Sequence, residues 1–402
     1  MTGRVVFLGR TIPACAVDEV NKNIKNGMMA STVAFQEKLI SGFDALCEDF
    51  VLCNVEAIES FPQHYSKAHI SSFRYSHRNE GALKDYNVGF NNTSGIRQLS
   101  ICRGVKRGLL VLNRERKIDT IVVYSTMTFF LNAAMWFKKH HPGVKICLII
   151  PDLPDFETLS EKVAWKNRLY QHLQNKMMNR VQGTTDLMVL LTEQMADYLG
   201  WRGKYVVVEG IAEEIPAIDA AEKKCGTIVY TGTTHKKFGL PVLVQAVTQM
   251  ERKDVELVIC GCGDYDDELR KIAQKDPRIR FLGIVPHKEA LRMQMSAAVL
   301  VNPRQNNEVY TKYSFPSKTM EYLSTGNPVI AYRLDGIPQS YLPYLHCPRD
   351  DTPESLADEI EGLLSLPEQE RYRQGQLGKE YVLTHKNAAV QVGKIAQALE
   401  KI

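Results

Sequence analysis

Short runs of consecutive apolar residues recur along the chain, and stretches of helical spacing separate them. Val5-Val-Phe-Leu8 ends in Gly9, and Asp49 to Val55, Asp119 to Tyr124, Lys145 to Ile150, Asp186 to Leu191 and Tyr205 to Glu209 follow. Continuous rather than alternating apolar runs predict strands buried on both faces, as in a parallel sheet covered by helices. Val33, Phe35, Leu39, Ile40, Phe43 and Leu46 have the spacing of one such helix. A second set of runs comprises Thr227 to Tyr230, Glu256 to Cys260, Ile279 to Leu282, Ala298 to Val301 and Pro328 to Ala331. Between the sets, Ile211 to Cys225 is charged, contains Pro216 and has weak periodicity, which predicts a linker. The pattern predicts an α/β protein of two Rossmann-like, doubly wound domains facing a cleft. Their expected limits are 1–212 and 213–385. The tail from Glu368 is helical in composition, and residues 386–402, with Ala388, Val392, Ile395, Ala396 and Leu399 on one face, are expected to return to the first domain.

Composition narrows the class. With 402 residues, 44% of them apolar and 24% charged, the chain can bury two cores, so disorder and fibrous repeats are excluded. The net charge of +4 lies entirely in the first half, which has 26 Lys+Arg against 22 Asp+Glu up to residue 215, while the remainder has 24 of each. From Phe61 to Ile118 there are 11 basic residues and 3 acidic ones. Such a stretch serves as a solvated surface, an anionic-membrane contact or a site for phosphorylated ligands; nucleic acid is not expected. Within it, Ile96, Leu99, Val105 and Leu109 or Leu110 fall near one helical face, with Arg97, Arg103, Lys106 and Arg107 around it. That helix either lies in a membrane interface or packs on the domain's own sheet, and both readings stand. The nine cysteines lack metal-ligand spacing and read as reduced, mostly buried thiols with no bound metal. No run is long and apolar enough for a signal peptide or a span, so a cytoplasmic protein is expected, peripheral on the inner membrane face under the first of those readings.

The densest chemical signal is Tyr313-Ser314-Phe315-Pro316-Ser317-Lys318-Thr-Met-Glu321-Tyr-Leu-Ser-Thr-Gly326-Asn-Pro-Val-Ile-Ala331. Pro316 and Ser317 suit a helix N-terminus, and Gly326 suits its left-handed end before a buried strand. Free N–H groups at that N-terminus, with Lys318 beside them, make an anion site, and Glu321 one turn on can accept from sugar hydroxyls. Gly232-Thr233-Thr234 follows the first strand of the second domain, with Lys236 and Lys237 close behind, and Gly261-Cys-Gly263 follows the next strand; both suit phosphate at a sheet's carboxyl edge. Asp264-Tyr-Asp266 mimics a metal-binding triplet, but Asp264 is expected to cap a helix from Asp266 to Gln274.

In order and spacing, the segment from Thr227 to Ala331 resembles the donor half of family 4 GT-B glycosyltransferases, the branch that builds capsular polysaccharides and exopolysaccharides most of all. The resemblance implies transfer of a sugar from a nucleotide-sugar, with retention and without a metal, to a glycan or lipid-linked acceptor in polysaccharide biosynthesis. It gives Lys237 or Lys236, together with Ser317 and Lys318, to the donor diphosphate. Glu321 matches the second glutamate of the E-x7-E motif and would hold the ribose, and the loop Gly283-Ile-Val285 would meet the base. The first glutamate of that motif is replaced by Tyr313, which leaves the sugar open. In the first domain the family's glycine-rich loop corresponds to Gly27-Met-Met-Ala-Ser31, with a single glycine. Its His-Asp pair survives only as Pro151-Asp152, so Ser31 and Asp152 are the acceptor-side candidates. A sugar-nucleotide epimerase using His235, or a non-catalytic scaffold subunit that binds sugar nucleotides, would share the fold.

Overall fold

The computed structural model describes residues 1–25, 30–78, 80–153, 180–216 and 223–402. The chain divides into two compact units, Met1–Ile211 with Ala388–Ile402, and Ala212–Asn387.

The first unit is built on an eight-stranded sheet. Its strands are β1 (Arg4–Gly9), β2 (Asp49–Asn54), β4 (Phe73–Tyr75), β5 (Asp85–Asn87), β7 (Ile118–Tyr124), β8 (Lys145–Ile150), β9 (Leu187–Leu190) and β10 (Tyr205–Val207), while β3 (His69–Ile70) and β6 (Phe90–Asn91) pair separately. The order is β10-β9-β8-β7-β1-β2-β5-β4, parallel except between β4 and β5. β1 and β2 are buried along their whole length, which is why their sequences are continuous apolar runs. One face of the sheet is covered by the helices Ala30–Leu46 and Ala388–Glu400, whose Leu39, Phe43, Val392, Ile395 and Leu399 join Val5, Phe7 and Val122 in a single core. The expected helical tail is thus two helices, Glu368–His385 in the second unit and Ala388–Glu400 in the first.

The amphipathic helix Arg97–Glu115 turns most of its apolar face inward. It buries Ile101, Val105, Leu109 and Leu112 and packs on β6 and the helix Thr128–His140, so most of its apolar face serves the unit's own core. Ile96 and Leu99 remain exposed, beside exposed Arg103 and Arg107. No described helix is long and apolar enough to cross a membrane. All nine cysteines are free, but only four are buried and Cys15, Cys225 and Cys262 are exposed, because the short helix Ala14–Ala16 and the two turns that carry them lie outside the sheets.

The second unit holds five parallel strands, β11 (Thr227–Thr231), β12 (Glu256–Cys260), β13 (Ile279–Gly283), β14 (Val299–Asn302) and β15 (Val329–Ala331), in the order β13-β12-β11-β14-β15. Alternate residues of β11 enter opposite cores. Ile228 packs with the helices Leu240–Gln249 and Pro353–Ser365, and Val229 with the helix Ser317–Thr325. The order reverses between β11 and β14, so the loops after these strands flank the crevice where open α/β sheets bind ligands.

Candidate active site

Three chain segments meet at that crevice because glycines let them. A Cβ on Gly261 would lie 1.7 Å from the Gly232 carbonyl oxygen, and one on Gly263 2.4 Å from the Thr234 carbonyl carbon. A Cβ on Gly239 would lie 1.8 Å from the Pro303 oxygen. The loops after β11, β12 and β14 therefore touch backbone to backbone. Thr234 N–H donates to the Cys262 carbonyl at 3.0 Å, and Gly261 N–H to the Gly283 carbonyl at 2.8 Å, which ties in the loop that carries half-buried Val285.

The helix Ser317–Thr325 points its N-terminus at this place. Pro316 is its N-cap residue, no side chain caps it, and Gly326 closes it at φ 79°. Lys318 runs back towards Gly232, its Cε 3.9 Å from where a Cβ on that glycine would be. Lys318 Nζ donates to Glu321 Oε1 at 2.9 Å. The same oxygen accepts from the Gln294 amide at 2.6 Å, and that amide also donates to Thr231 Oγ1 at 2.7 Å. Burial pulls the Glu321 carboxyl upward, but the Lys318 charge and the hydrogen bonds from Gln294 and Lys318 outweigh it and keep the group ionised below its ordinary pKa. The next residue, Tyr322, is fully buried. Its hydroxyl accepts from Thr231 N–H at 2.8 Å and donates to the Thr231 carbonyl at 3.0 Å, pinning this helix to the end of β11.

The two lysines after β11 separate. Lys236 is engaged by Glu268 and lies over the Tyr265 ring, whereas half-buried Lys237 forms no ion pair among the described residues. His235 faces Asp264, whose N–H donates to its Nδ1 at 3.2 Å. The expectation for Asp264 is corrected. The helix Asp266–Ala273 has Tyr265 at its N-cap and no capping side chain, and Asp264 instead accepts from the Lys236 N–H at 2.8 Å. Asp266 orders the glycine turn, accepting from Gly263 N–H at 2.9 Å and from the Thr234 hydroxyl. Among the described residues no group of three or more His, Cys, Asp or Glu could hold a metal.

Arg304, just after β14, stacks over Phe238 at 5.5 Å and Tyr310 at 4.5 Å and donates to the Ser314 hydroxyl at 2.9 Å. Tyr313 ends the short helix Val309–Tyr313 ahead of this hydroxyl, and Ser317 is exposed. Gln294 carries no motif in the sequence and reaches the site from the helix His287–Ser296; Tyr322 lies in the same run as Lys318 and Glu321, but its hold on the end of β11 is not visible there.

In the first unit, Asp152 stands exposed after β8, yet the protein around its carboxyl pushes it up to about 6. The loop 26–29 and the side chain of Ser31 lie outside the described residues.

Two doubly wound units are the architecture of the GT-B fold. Residues 225–366, all within the second unit, match the family model described as glycosyl transferases group 1. Among solved structures the chain is similar to sucrose-phosphate synthase from Thermosynechococcus elongatus, at 15% identity and a TM-score of 0.61 with 99% of each chain covered. It is also similar to Anabaena HepE in complex with UDP, at 14% identity and a TM-score of 0.59, covering 99% of this chain and 100% of that one. A third similar structure is the lipopolysaccharide outer core galactosyltransferase WaaB, at 12% identity and a TM-score of 0.61, covering 100% and 99%. No curated protein sequence matches the chain.

Proposed function

We propose that the protein is a glycosyltransferase of the family 4 kind, moving a sugar from a nucleotide-sugar to a glycan or lipid-linked acceptor in polysaccharide biosynthesis. The observation that carries this reading is the Lys318–Glu321 pair at an uncapped helix N-terminus, held against the Gly232 turn and near the loop of Lys237 at the switch point of the second sheet. The family match over residues 225–366 and the UDP in the HepE complex support it.

In this reading the donor diphosphate lies between the Lys237 loop and the N-terminus at Ser317, and Glu321 accepts from the ribose hydroxyls through its second oxygen. As the sugar leaves, negative charge grows on the diphosphate. Lys237, Lys318 and the helix N–H groups would stabilise that charge by electrostatic preorganisation. Cations fixed in the protein supply this stabilisation, so the reaction proceeds without a metal. Retention follows if a donor phosphate oxygen takes the acceptor proton, and Asp152 is then not an indispensable base. His235 is occupied with Asp264 in ordering a loop, which speaks against an epimerase.

Binding is to be measured against UDP-, GDP-, dTDP- and ADP-sugars, followed by transfer assays with the tightest. Lys318→Ala removes a charge-assisted contact worth about 1.5 to 3 kcal/mol, so donor affinity is expected to fall roughly tenfold or more. Affinity and rate both within about twofold of wild type would reject the donor site. Transfer is expected to persist in excess chelator; loss with EDTA and rescue by manganese would reject metal independence.

A further inference from the structure

The carboxyl end of the first sheet holds two arginines that the reading above does not use. β1 and β7 are neighbours from which the chain moves off to opposite sides, so the segments after them, Arg10–Thr11 and Ser125–Met127, flank the switch point of that sheet. Arg10 Nη2 donates to the Ile58 carbonyl at 2.8 Å, and Arg97 Nη2 donates to the same oxygen at 2.7 Å. Two guanidiniums thus converge on one neutral acceptor. Arg97 Nε is satisfied by Asn92 Oδ1 at 2.8 Å, but Arg10 Nη1 meets only the Met127 sulfur at 4.0 Å and Arg10 Nε, itself buried, has no partner.

Neither arginine forms an ion pair among the described residues; Glu59 attracts both from beyond ion-pair distance. Burial, with the Arg97 charge adding to it and Glu59 opposing, pushes Arg10 down to about 10. Two crowded cations with an unmet donor cost stability unless an anion joins them. Ser125, at φ 74°, is the single described non-glycine residue with positive φ, and strain of this kind collects at ligand sites.

We propose that Arg10 and Arg97 form an oxyanion subsite that takes a phosphate or diphosphate group of the acceptor. The guanidinium fork matches phosphate oxygens, and the unmet Arg10 donors are the ones such a group would fill. Only the word acceptor rests on the glycosyltransferase reading; the anion site stands on its own geometry.

Calorimetric titration of the full chain with inorganic pyrophosphate tests it, in a Lys318→Ala background that weakens the donor site. Pyrophosphate binding is expected there, and adding Arg10→Gln is expected to weaken it about tenfold or more. Arg97→Lys, which keeps charge but loses the fork, serves if Arg10→Gln does not fold, as judged by thermal melting. Geranyl pyrophosphate and glucose 6-phosphate, titrated in the same way, tell a lipid-linked diphosphate from a soluble sugar phosphate; Arg10-dependent binding of either supports the site. Affinity for pyrophosphate within about twofold in both folded arginine variants would overturn it. UDP binding is followed in parallel: a chain that binds pyrophosphate through Arg10 but no nucleotide sinks the donor reading alone, and one that binds UDP through Lys318 with no arginine dependence of pyrophosphate sinks this proposal alone.

Discussion

At the scale of single residues, the best-defined titratable cluster lies away from both candidate sites. His77 Nδ1 is 2.8 Å from Asp85 Oδ2 and its Nε2 is 3.0 Å from Asp44 Oδ1, and Arg78 also holds Asp44. Burial alone would lower the His77 pKa, but the two carboxylates outweigh it and raise it above its ordinary value. A raised histidine contributes stability that is fully present below its unfolded pKa, about 6.5, and is lost as pH rises through the folded pKa. Asp44 is shifted the other way. Burial opposes the change, but Arg78 and His77 hold it low, so its contribution is present above the ordinary carboxylate range and fades in acid. His77→Gln is therefore expected to lower the melting temperature most near pH 5.5 to 6 and least at pH 8.5, where each 1 kcal/mol corresponds to about 2–4 °C in a unit of this size. Melting curves from pH 5 to 9 decide it, and a deficit independent of pH would contradict the assignment. Little of this was legible in the sequence. A histidine between two aspartates 33 and 8 positions away makes no spacing signal, and the same holds for Arg10, Arg97 and Gln294, each brought to its partners by the fold.

Elements were far more legible. The eleven apolar runs correspond to β1, β2, β7 to β10 and all five strands of the second sheet, because burial on both faces writes itself as an unbroken apolar stretch. β3 to β6 escaped, being two or three residues long and drawn from the mixed segment 69–91, too short for any period to show. The helix Ser317–Thr325 was readable down to its glycine end, whereas what Glu321 touches was not. For the helix Arg97–Glu115, periodicity revealed an apolar face but not its use. The structure assigns Val105 and Leu109 to the core and leaves Ile96, Leu99, Arg103 and Arg107 outside. If that remainder docks on an anionic membrane, each basic residue adds about 1 kcal/mol near the surface. Vesicle sedimentation is then expected to show salt-sensitive binding that falls when Arg103 and Arg107 become Glu; equal indifference to anionic and neutral vesicles would dismiss a membrane role for this helix.

At the scale of the whole molecule, the order of the chain and the order of the units do not coincide. Val392, Ile395 and Leu399 are each at most 1% exposed within the first unit's core. Gln391 donates to the Gly210 carbonyl at 2.7 Å, and Lys145 to the Leu399 carbonyl at 2.9 Å. Removing 388–402 forfeits roughly 1.5 to 3 kcal/mol for each of the three apolar side chains, a total comparable with the stability of an ordinary domain. Calorimetry of a chain ending at Asn387 is expected to lose the unfolding transition of the first unit and keep that of the second; two intact transitions would refute it. During synthesis, therefore, the first unit waits for a helix made after the whole of the second. Some 175 residues of the second unit must leave the ribosome before Ala388–Glu400 can join Ala30–Leu46 on the earlier sheet, part of whose apolar face stays open to the cell's chaperones until then.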